Sequence, residues 1–579
     1  MSILDYKKDD AIGTVFSVDT GNVLISVTNL DALRKLQVNH LVVLRSSKAG
    51  QHLIGLISKV MRKGRVEAGG FPDGEEAPEE QVVIENLIRV TLIGTLLDAV
   101  GTQQNVFRRT LETVPEIDAP CFVLQGEKMT EFMKAISKQV HEGQKALSLG
   151  KYTIDENAEA WLDGNRFFQR HAVIIGSTGT GKSWTVARIL EQAAELPNAN
   201  AILFDIHGEY TPLSGDGICH LRIAGPADLA GAKKLGDGIV FLPFWLLTYE
   251  EMLAMMLDRS DQNAPNQAML FQREVTSAKR SRLEELKQKD VLANFTIDSP
   301  VPYSIKTVIE KLTELDNEKV DGVRGEKQGP FFGKLSRFIQ RLEAKQQDRR
   351  LGFLFDVGDD AMRYEWLNEL STVLLGSTGV RGKGGVKIID FSEVPSDVLP
   401  LVVGLVARII FSVQQWTRKE LRHPIALLCD EAHLYIPERH EAGGLAEVGL
   451  RSFERIAKEG RKYGVGLIVI SQRPAEVNRT VLSQCNNYIA MRLTNADDQA
   501  VIKRLLPDTL GGFADLLPIL DIGEALVVGD AAILPSRIRI DKPNTPPSSA
   551  TVDFWDLWAK KKIESGIDDA VESLRKQQS

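Results

Sequence analysis

Hydrophobic positions along this chain follow two different patterns. In the first hundred or so residues they form short runs, Ile12–Val18, Val23–Val27, His40–Arg45, His52–Ile57 and Arg89–Leu97, with turn residues such as Thr20-Gly21-Asn22 between them. Runs of this length and spacing predict strands, and several in succession predict a small barrel. Gly64 to Gln81, rich in Gly, Glu and Pro, predicts a loop. Met129 to Leu149 has helical spacing. Beyond residue 150 the strands become near-continuous Ile/Val/Leu: Ala172–Ile175, Asn200–Asp205, Val386–Asp390, Ile425–Asp430, Gly466–Ser471 and Tyr488–Leu493. Strands without polar alternation belong in a parallel sheet covered by helices on both faces.

The strand–helix alternation is interrupted between about 245 and 380. Thr248–Leu257, Asn266–Asp290, Ser304–Asp316, Phe331–Arg350 and Arg363–Leu375 all carry helical periodicity, and Thr248 with Glu251 makes a capping-box signature. This reads as a helical insertion. Lys334, Arg337, Arg341, Lys345 and Arg349 lie on one basic face, which suits a solvated or inter-subunit surface better than a nucleic acid. Glu524–Asp530 and Ser536–Ile540 predict a terminal hairpin. Pro543–Ser549 is a linker, and residues 551 to 577 predict an amphipathic helix showing Phe554, Trp555, Leu557 and Trp558. Three domains result: a β-barrel over 1–145 for assembly or partner docking, an α/β core over 146–545, and a C-terminal linker and helical strap over 546–579.

Composition narrows the class. Of 579 residues 43% are hydrophobic and 26% charged, as in a soluble globular protein. With 70 basic and 78 acidic side chains the net charge is −8, so a nucleic-acid surface has to be local, as in a groove or a ring pore. Cys121, Cys219, Cys429 and Cys485 are far apart and form no C-x-x-C, which argues for buried reduced thiols rather than zinc or disulfides. The longest apolar run, Val398–Val413, is too short for a membrane span and contains Arg408. A cytoplasmic protein with no membrane partner is expected.

The chemistry concentrates in residues 171 to 185. A short apolar strand runs into Gly176-Ser177-Thr178-Gly179-Thr180-Gly181-Lys182-Ser183, and a helical pattern begins at Lys182 and continues through Trp184. This matches G-x-x-x-x-G-K-[ST] at every fixed position. Glycines let successive N–H groups curl around phosphate oxygens, and the helix N-terminus adds positive potential. Lys182 supplies a cation for the β- and γ-phosphates, and the Ser183 hydroxyl can ligand Mg²⁺. Residues 176 to 184 are therefore the expected ATP-binding set.

Other motifs choose among the reactions such a loop can serve. The strand Ile425–Cys429 ends in Asp430-Glu431. Asp430 suits the Mg²⁺ shell and Glu431 the activation of a water, which argues against a small-molecule kinase. The next strand ends in Ser471-Gln472-Arg473-Pro474, where Gln472 is placed to sense the γ-phosphate. Arg455 and Arg461 lie on a helix leading to that strand; in a ring one of them can act as an arginine finger, and Arg461 is the better candidate. His207 and Glu209, in Asp205-Ile-His-Gly-Glu-Tyr210, are second-rank candidates.

Taken together these residues resemble the HerA family, hexameric DNA-translocating ATPases of the branch that includes FtsK. The matching stretches are 176–183, 205–210, Asp-Glu-Ala-His at 430–433, 455–464, 471–474, 482–487 and Gly-Glu-Ala-Leu-Val at 523–527. The resemblance implies a RecA-like ATPase core, a homo-hexamer with ATP between subunits, and double-stranded DNA in the pore. It also implies an effector, a NurA-like nuclease or a sirtuin-like or other defence enzyme, so that DNA end processing and anti-phage defence are both in view. It extends to Lys182, Ser183, Asp430, Glu431, Gln472 and Arg461, with Arg170 as a phosphate contact in cis. Arg381, Lys383 and Arg439 are the candidate DNA contacts. Two alternatives stay open: a ring scaffold that regulates an effector with little translocation, and a monomeric phosphate-loop kinase.

Overall fold

The computed structural model describes every residue except 1–2, 20, 29, 39, 68–80, 142–145, 230–233, 323–324, 378–384, 507–510, 550–551, 561–565 and 577–579. The chain forms two compact units. The first contains Met1–Ile189, Gln472–Ala475 and Cys485–Lys542; the second contains Leu190–Ser471, Glu476–Gln484 and Pro543–Ser579.

In the first unit the predicted N-terminal strands close a barrel. The strand order is Asn22–Val27, Gly13–Asp19, Pro120–Val123, Leu41–Arg45, Gln51–Glu67 and Gln81–Val100, and the last pairs back with Asn22–Val27. Closure leaves no open edge among these six strands, and Gln103–Arg108 pairs outside the ring. The inward positions Val15, Val23, Ile25, Val42, Leu44, Leu53, Ile57, Ile88 and Val90 make one apolar core. Part of the expected loop is strand, since the two longest strands extend to Glu67 and start again at Gln81; the rest of that loop, 68–80, lies outside the described residues.

The same unit holds six further strands in the order Ala172–Ile175, Asn487–Met491, Glu524–Gly529, Ser536–Ile540, Ala146–Tyr152 and Asp155–Asp163. The first pair is parallel. The others are antiparallel, including the predicted terminal hairpin. The helix expected over Met129–Leu149 ends at His141, and Ala146–Tyr152 is a strand instead. Its Leu147 and Leu149 are buried in the sheet, a tertiary demand that overrides helical spacing. Arg109 fixes the exit from the barrel to this sheet by donating to the carbonyls of Ile533 (2.9 Å), Gly529 (2.7 Å) and Ala532.

In the second unit six parallel strands run Ile239–Val240, Ile218–Ile223, Val386–Asp390, Ala201–Asp205, Ile425–Cys429 and Val465–Ser471. The expected helical insertion is here as Tyr249–Met256, Ala264–Glu285, Lys289–Asn294, Ile305–Asp316, Ser336–Gln347 and Trp366–Leu375, with one unforeseen hairpin, Lys319–Gly322 and Gly325–Gln328. The Thr248/Glu251 capping box forms. Arg408 lies in helix Leu399–Trp416, which is long and apolar enough to cross a membrane, yet 72% of that segment is buried within the protein. Its guanidinium donates to both carboxylate oxygens of buried Glu251, at 2.9 and 2.8 Å, and to the Leu246 carbonyl.

Two of the five basic side chains on the face at 334–349 are paired within the chain, Arg341 with Asp258 at 2.7 Å and Lys345 with Asp397 at 3.8 Å. All four cysteines are buried and none is in a disulfide. The predicted C-terminal helix is two shorter ones, Phe554–Trp558 and Ile567–Lys576. Phe554, Trp555 and Trp558 are exposed rather than laid on the body. It is the preceding linker that is attached: the Asn544 and Thr545 N–H groups donate to Glu191 (2.8 Å each), and that of Ser548 donates to the Glu209 carbonyl (2.7 Å).

Candidate active site

In the first unit, strand Ala172–Ile175 delivers the chain into the glycine loop, and a helix starts at Lys182. Gly179 and Gly181 take φ +74° and +109°, angles that side chains avoid. Gly176 is needed for space, because a Cβ there would come 2.6 Å from the Thr180 hydroxyl and 2.8 Å from Met491. The loop is braced by the Ser177 N–H on the Arg492 carbonyl (2.8 Å) and by the Gly523 N–H on the Thr180 carbonyl (3.0 Å). The Thr180 and Thr185 hydroxyls donate to the Ser177 and Gly181 carbonyls. Lys182 is buried, its Nζ 3.4 Å from the Ser177 carbonyl, so the cation lies over the loop rather than in solvent. Gln472 meets the same loop: the Thr178 hydroxyl donates to its amide oxygen at 2.6 Å. Sequence reasoning had these two residues 294 positions apart. Trp184, one residue beyond Ser183, lies under the Lys542 ammonium, 5.6 Å from the ring centroid. Arg170 pairs with Asp530 at 3.5 Å.

In the second unit, acids collect at the carboxyl ends of parallel strands, where ligands bind in open α/β sheets. Asp430 follows Ile425–Cys429, and Asp205 and Asp390 end their own strands in register with each other. Asp205, Asp430 and Glu431 are all buried. Burial, then the charges of Glu431, Glu209 and Asp205, hold the Asp430 carboxyl well above the ordinary range. Burial, with Asp390 adding to it, pushes Asp205 up to about 6, although the N–H groups of Tyr210 and Glu209 donate to it at 2.9 and 3.1 Å. These bonds shape the turn that carries exposed His207 and half-buried Glu209.

Glu431 takes φ +44° and ψ +45°, a conformation that costs a non-glycine residue on the order of 1–3 kcal/mol. Its carboxylate lies 3.3 Å from His433 Nδ1, which is 3.4 Å from the Ser471 hydroxyl. Asp205, Asp390 and His433 were missed as site residues; an acid closing each apolar strand was the available signal for the first two. Among the described residues no group of three or more His, Cys, Asp or Glu is arranged to hold a metal alone.

Arg455 and Arg461 lie on helix Leu445–Tyr463 of the same unit. Arg455 packs over the Phe411 ring (4.9 Å) and donates to Gln415 (3.0 Å), which makes it a structural neighbour of helix Leu399–Trp416. Arg461 is exposed on the last turn. Behind it, the Arg422 guanidinium donates to the carbonyls of Gln414 (3.0 Å), Thr417 (2.8 Å) and Lys462 (3.2 Å) and stacks on Tyr463. Arg439, a candidate DNA contact, is held by Glu454 at 2.9 and 2.6 Å. Arg381 and Lys383 lie outside the described residues.

A strand–glycine-loop–helix unit, a polar amide on the loop and buried acids at strand ends define a phosphate-loop nucleoside triphosphatase, an ATP-hydrolysing enzyme. Residues 147–410 match the family model described as the central domain of the helicase HerA. The chain is 28% identical over 400 residues to the DNA double-strand break repair helicase HerA of Sulfolobus acidocaldarius, covering 68% of this chain and 69% of that protein. It is 26% identical over 430 residues to a probable helicase of Methanocaldococcus jannaschii, covering 73% and 72%. Among solved structures it is similar to VirB4 of Thermoanaerobacter pseudethanolicus, at TM-score 0.42 and 18% identity, over 70% of this chain and 98% of that one. Over residues 147–410 the chain is similar to the HerA helicase family.

Proposed function

We propose that this protein is an ATP-driven translocase or helicase on double-stranded DNA, active as a homo-hexamer in the cytoplasm. The observation that carries the reading is the hydrolytic character of the acidic strand end: Glu431, directly after Asp430, is buried and fixed in a rare backbone conformation beside His433. A carboxylate held in this way suits a base that orients and deprotonates water. Residues 176 to 184 bind ATP, with Lys182 neutralising its phosphates and Gln472 registering the γ-phosphate through the loop. Ser183 and Asp430 would hold Mg²⁺, which when bound neutralises charge on the phosphate oxygens. Arg461, on an exposed helix end, completes the pocket of an adjoining copy. Residues 1–145 serve assembly and partner docking, 146–545 the ATPase, and 546–579 a strap. A nuclease of the NurA kind or another defence effector is the partner, in DNA end processing or anti-phage defence.

The test is ATP turnover with and without duplex DNA. Lys182→Ala, Glu431→Gln and Arg461→Ala should each lower turnover by roughly 10³-fold or more, and duplex should stimulate the wild type. Normal turnover in Lys182→Ala and Glu431→Gln would end the reading. Loss in Arg461→Ala alone, with no recovery on mixing with Glu431→Gln subunits, would remove only the trans role.

A further inference from the structure

The Gly523-Glu524 motif takes no part in the chemistry above, yet it is joined directly to the phosphate loop. Besides the Gly523 N–H on the Thr180 carbonyl, the Gly523 carbonyl accepts from the Ile540 N–H at 2.8 Å. The residue takes φ +77°, and a Cβ on Gly181 would lie 3.6 Å from its Cα. The segment leading to it is equally well fixed. Asp521 N–H donates to Glu524 Oε2 (3.1 Å) and Ile522 N–H to Asp521 Oδ1 (2.8 Å). Glu524 is buried and neutralised by Arg537 and Arg539, at 3.0 Å each. Upstream, the Leu493 N–H donates to the Leu517 carbonyl at 3.1 Å, one residue after Arg492 braces Ser177.

On this rigid segment two large aliphatic side chains are left in the open: Ile519 is 67% exposed and Ile522 58%. Buried ion pairs and backbone bonds are thus used to hold apolar groups out of the core, immediately beside a loop built for phosphates. A nucleoside triphosphate has a polar end, which the loop takes, and a flat base whose faces favour apolar contact. Lys542, which stands over the Trp184 ring, follows two residues after Ile540, whose N–H meets the Gly523 carbonyl.

We propose that Ile519 and Ile522 form the ledge against which the base of the bound nucleotide packs, and that Glu524 with its two arginines sets the ledge's position. The proposal rests on the phosphate-loop reading and deepens it: the loop supplies phosphate affinity and the ledge supplies base affinity. The experiment compares binding of ATP with binding of inorganic tripolyphosphate, which has no base. Ile522→Asp should weaken ATP about tenfold, the loss expected when part of an aliphatic contact is removed, and leave tripolyphosphate unchanged. Ile522→Phe, which offers a larger apolar face, should bind ATP at least as well as the wild type. Lys182→Ala should weaken both ligands.

If Ile522→Asp weakens both ligands equally, or neither, the ledge is overturned. Unchanged ATP binding together with a fall in solution mass would assign the two isoleucines to contact with a second copy, and would also overturn it. If Lys182→Ala leaves both affinities intact, the phosphate-loop reading itself fails, which is a separate result.

Discussion

Two of the places where the second unit buries a carboxylate are treated oppositely. Glu251 is 2% exposed and fully answered: Arg408 grips both its oxygens, and it caps the Thr248 N–H at 2.7 Å. Asp430 is also buried but has further acids around it, and its carboxyl is raised well above the usual range. A buried charge with its counter-charge built in is architecture. A buried acid among acids raises the free energy of the empty protein, and the sequence keeps it where a cation-bearing ligand can relieve it. On the proposed function, the difference separates a residue that holds the fold from one that serves the reaction, both within the same unit.

Three measurements bear on this contrast. The largest effect is expected at the architectural pair. Arg408→Met strands a buried carboxylate and should lower the unfolding free energy by about 3–5 kcal/mol in a denaturant titration, with hydrolysis per folded molecule little changed. If turnover is lost while stability holds, the pair belongs to the site. Asp430→Asn should move stability the other way. It keeps an oxygen to accept the Glu431 N–H (3.0 Å) and removes the charge, so the empty protein should gain about 1–3 kcal/mol while Mg²⁺-dependent turnover disappears. A destabilised Asp430→Asn protein would dissolve the contrast.

The smallest effect is a pH slope. Because Asp205 is raised to about 6 in the folded chain, the folded state binds more protons than the unfolded one from near pH 4 up to about 6. This contribution to stability is fully present below the unfolded value and is lost as pH rises through about 6. Thermal unfolding of the nucleotide-free protein should therefore show a decline over that window that weakens in Asp205→Asn. A rise in stability across it, traced to Asp205, would contradict the assignment.

What could be read ahead of the structure was what is encoded within a few residues. The glycine loop, the Thr248/Glu251 cap and the near-continuous β runs each depend on local spacing, and each formed where expected. What could not be read depends on partners brought from afar. The apolar run Val398–Val413 could be set apart from a membrane span, but not that Arg408 is tolerated there because Glu251, 157 residues earlier, neutralises it. The basic face of Ser336–Gln347 looked open because Asp258 and Asp397 are distant in the chain. Arg439 looked free for the same reason, its partner Glu454 lying 15 residues on across a loop and a helix start. The helical spacing of Met129 to Leu149 ran into Ala146–Tyr152, yet the strand Ser536–Ile540 offered these residues an edge, and backbone pairing decided. Within the site, the apolar strands pointed to Asp430 and Glu431, while Ile519, Ile522 and Gly523 gained meaning only when the chain returned them to Thr180.

The single guanidinium of Arg422, tied to the carbonyl ends of two helices and stacked on Tyr463, fastens those ends to each other. The terminal turn that bears Arg461 is thereby tethered to helix Leu399–Trp416, the same helix whose Arg408 grips Glu251 in the helical insertion.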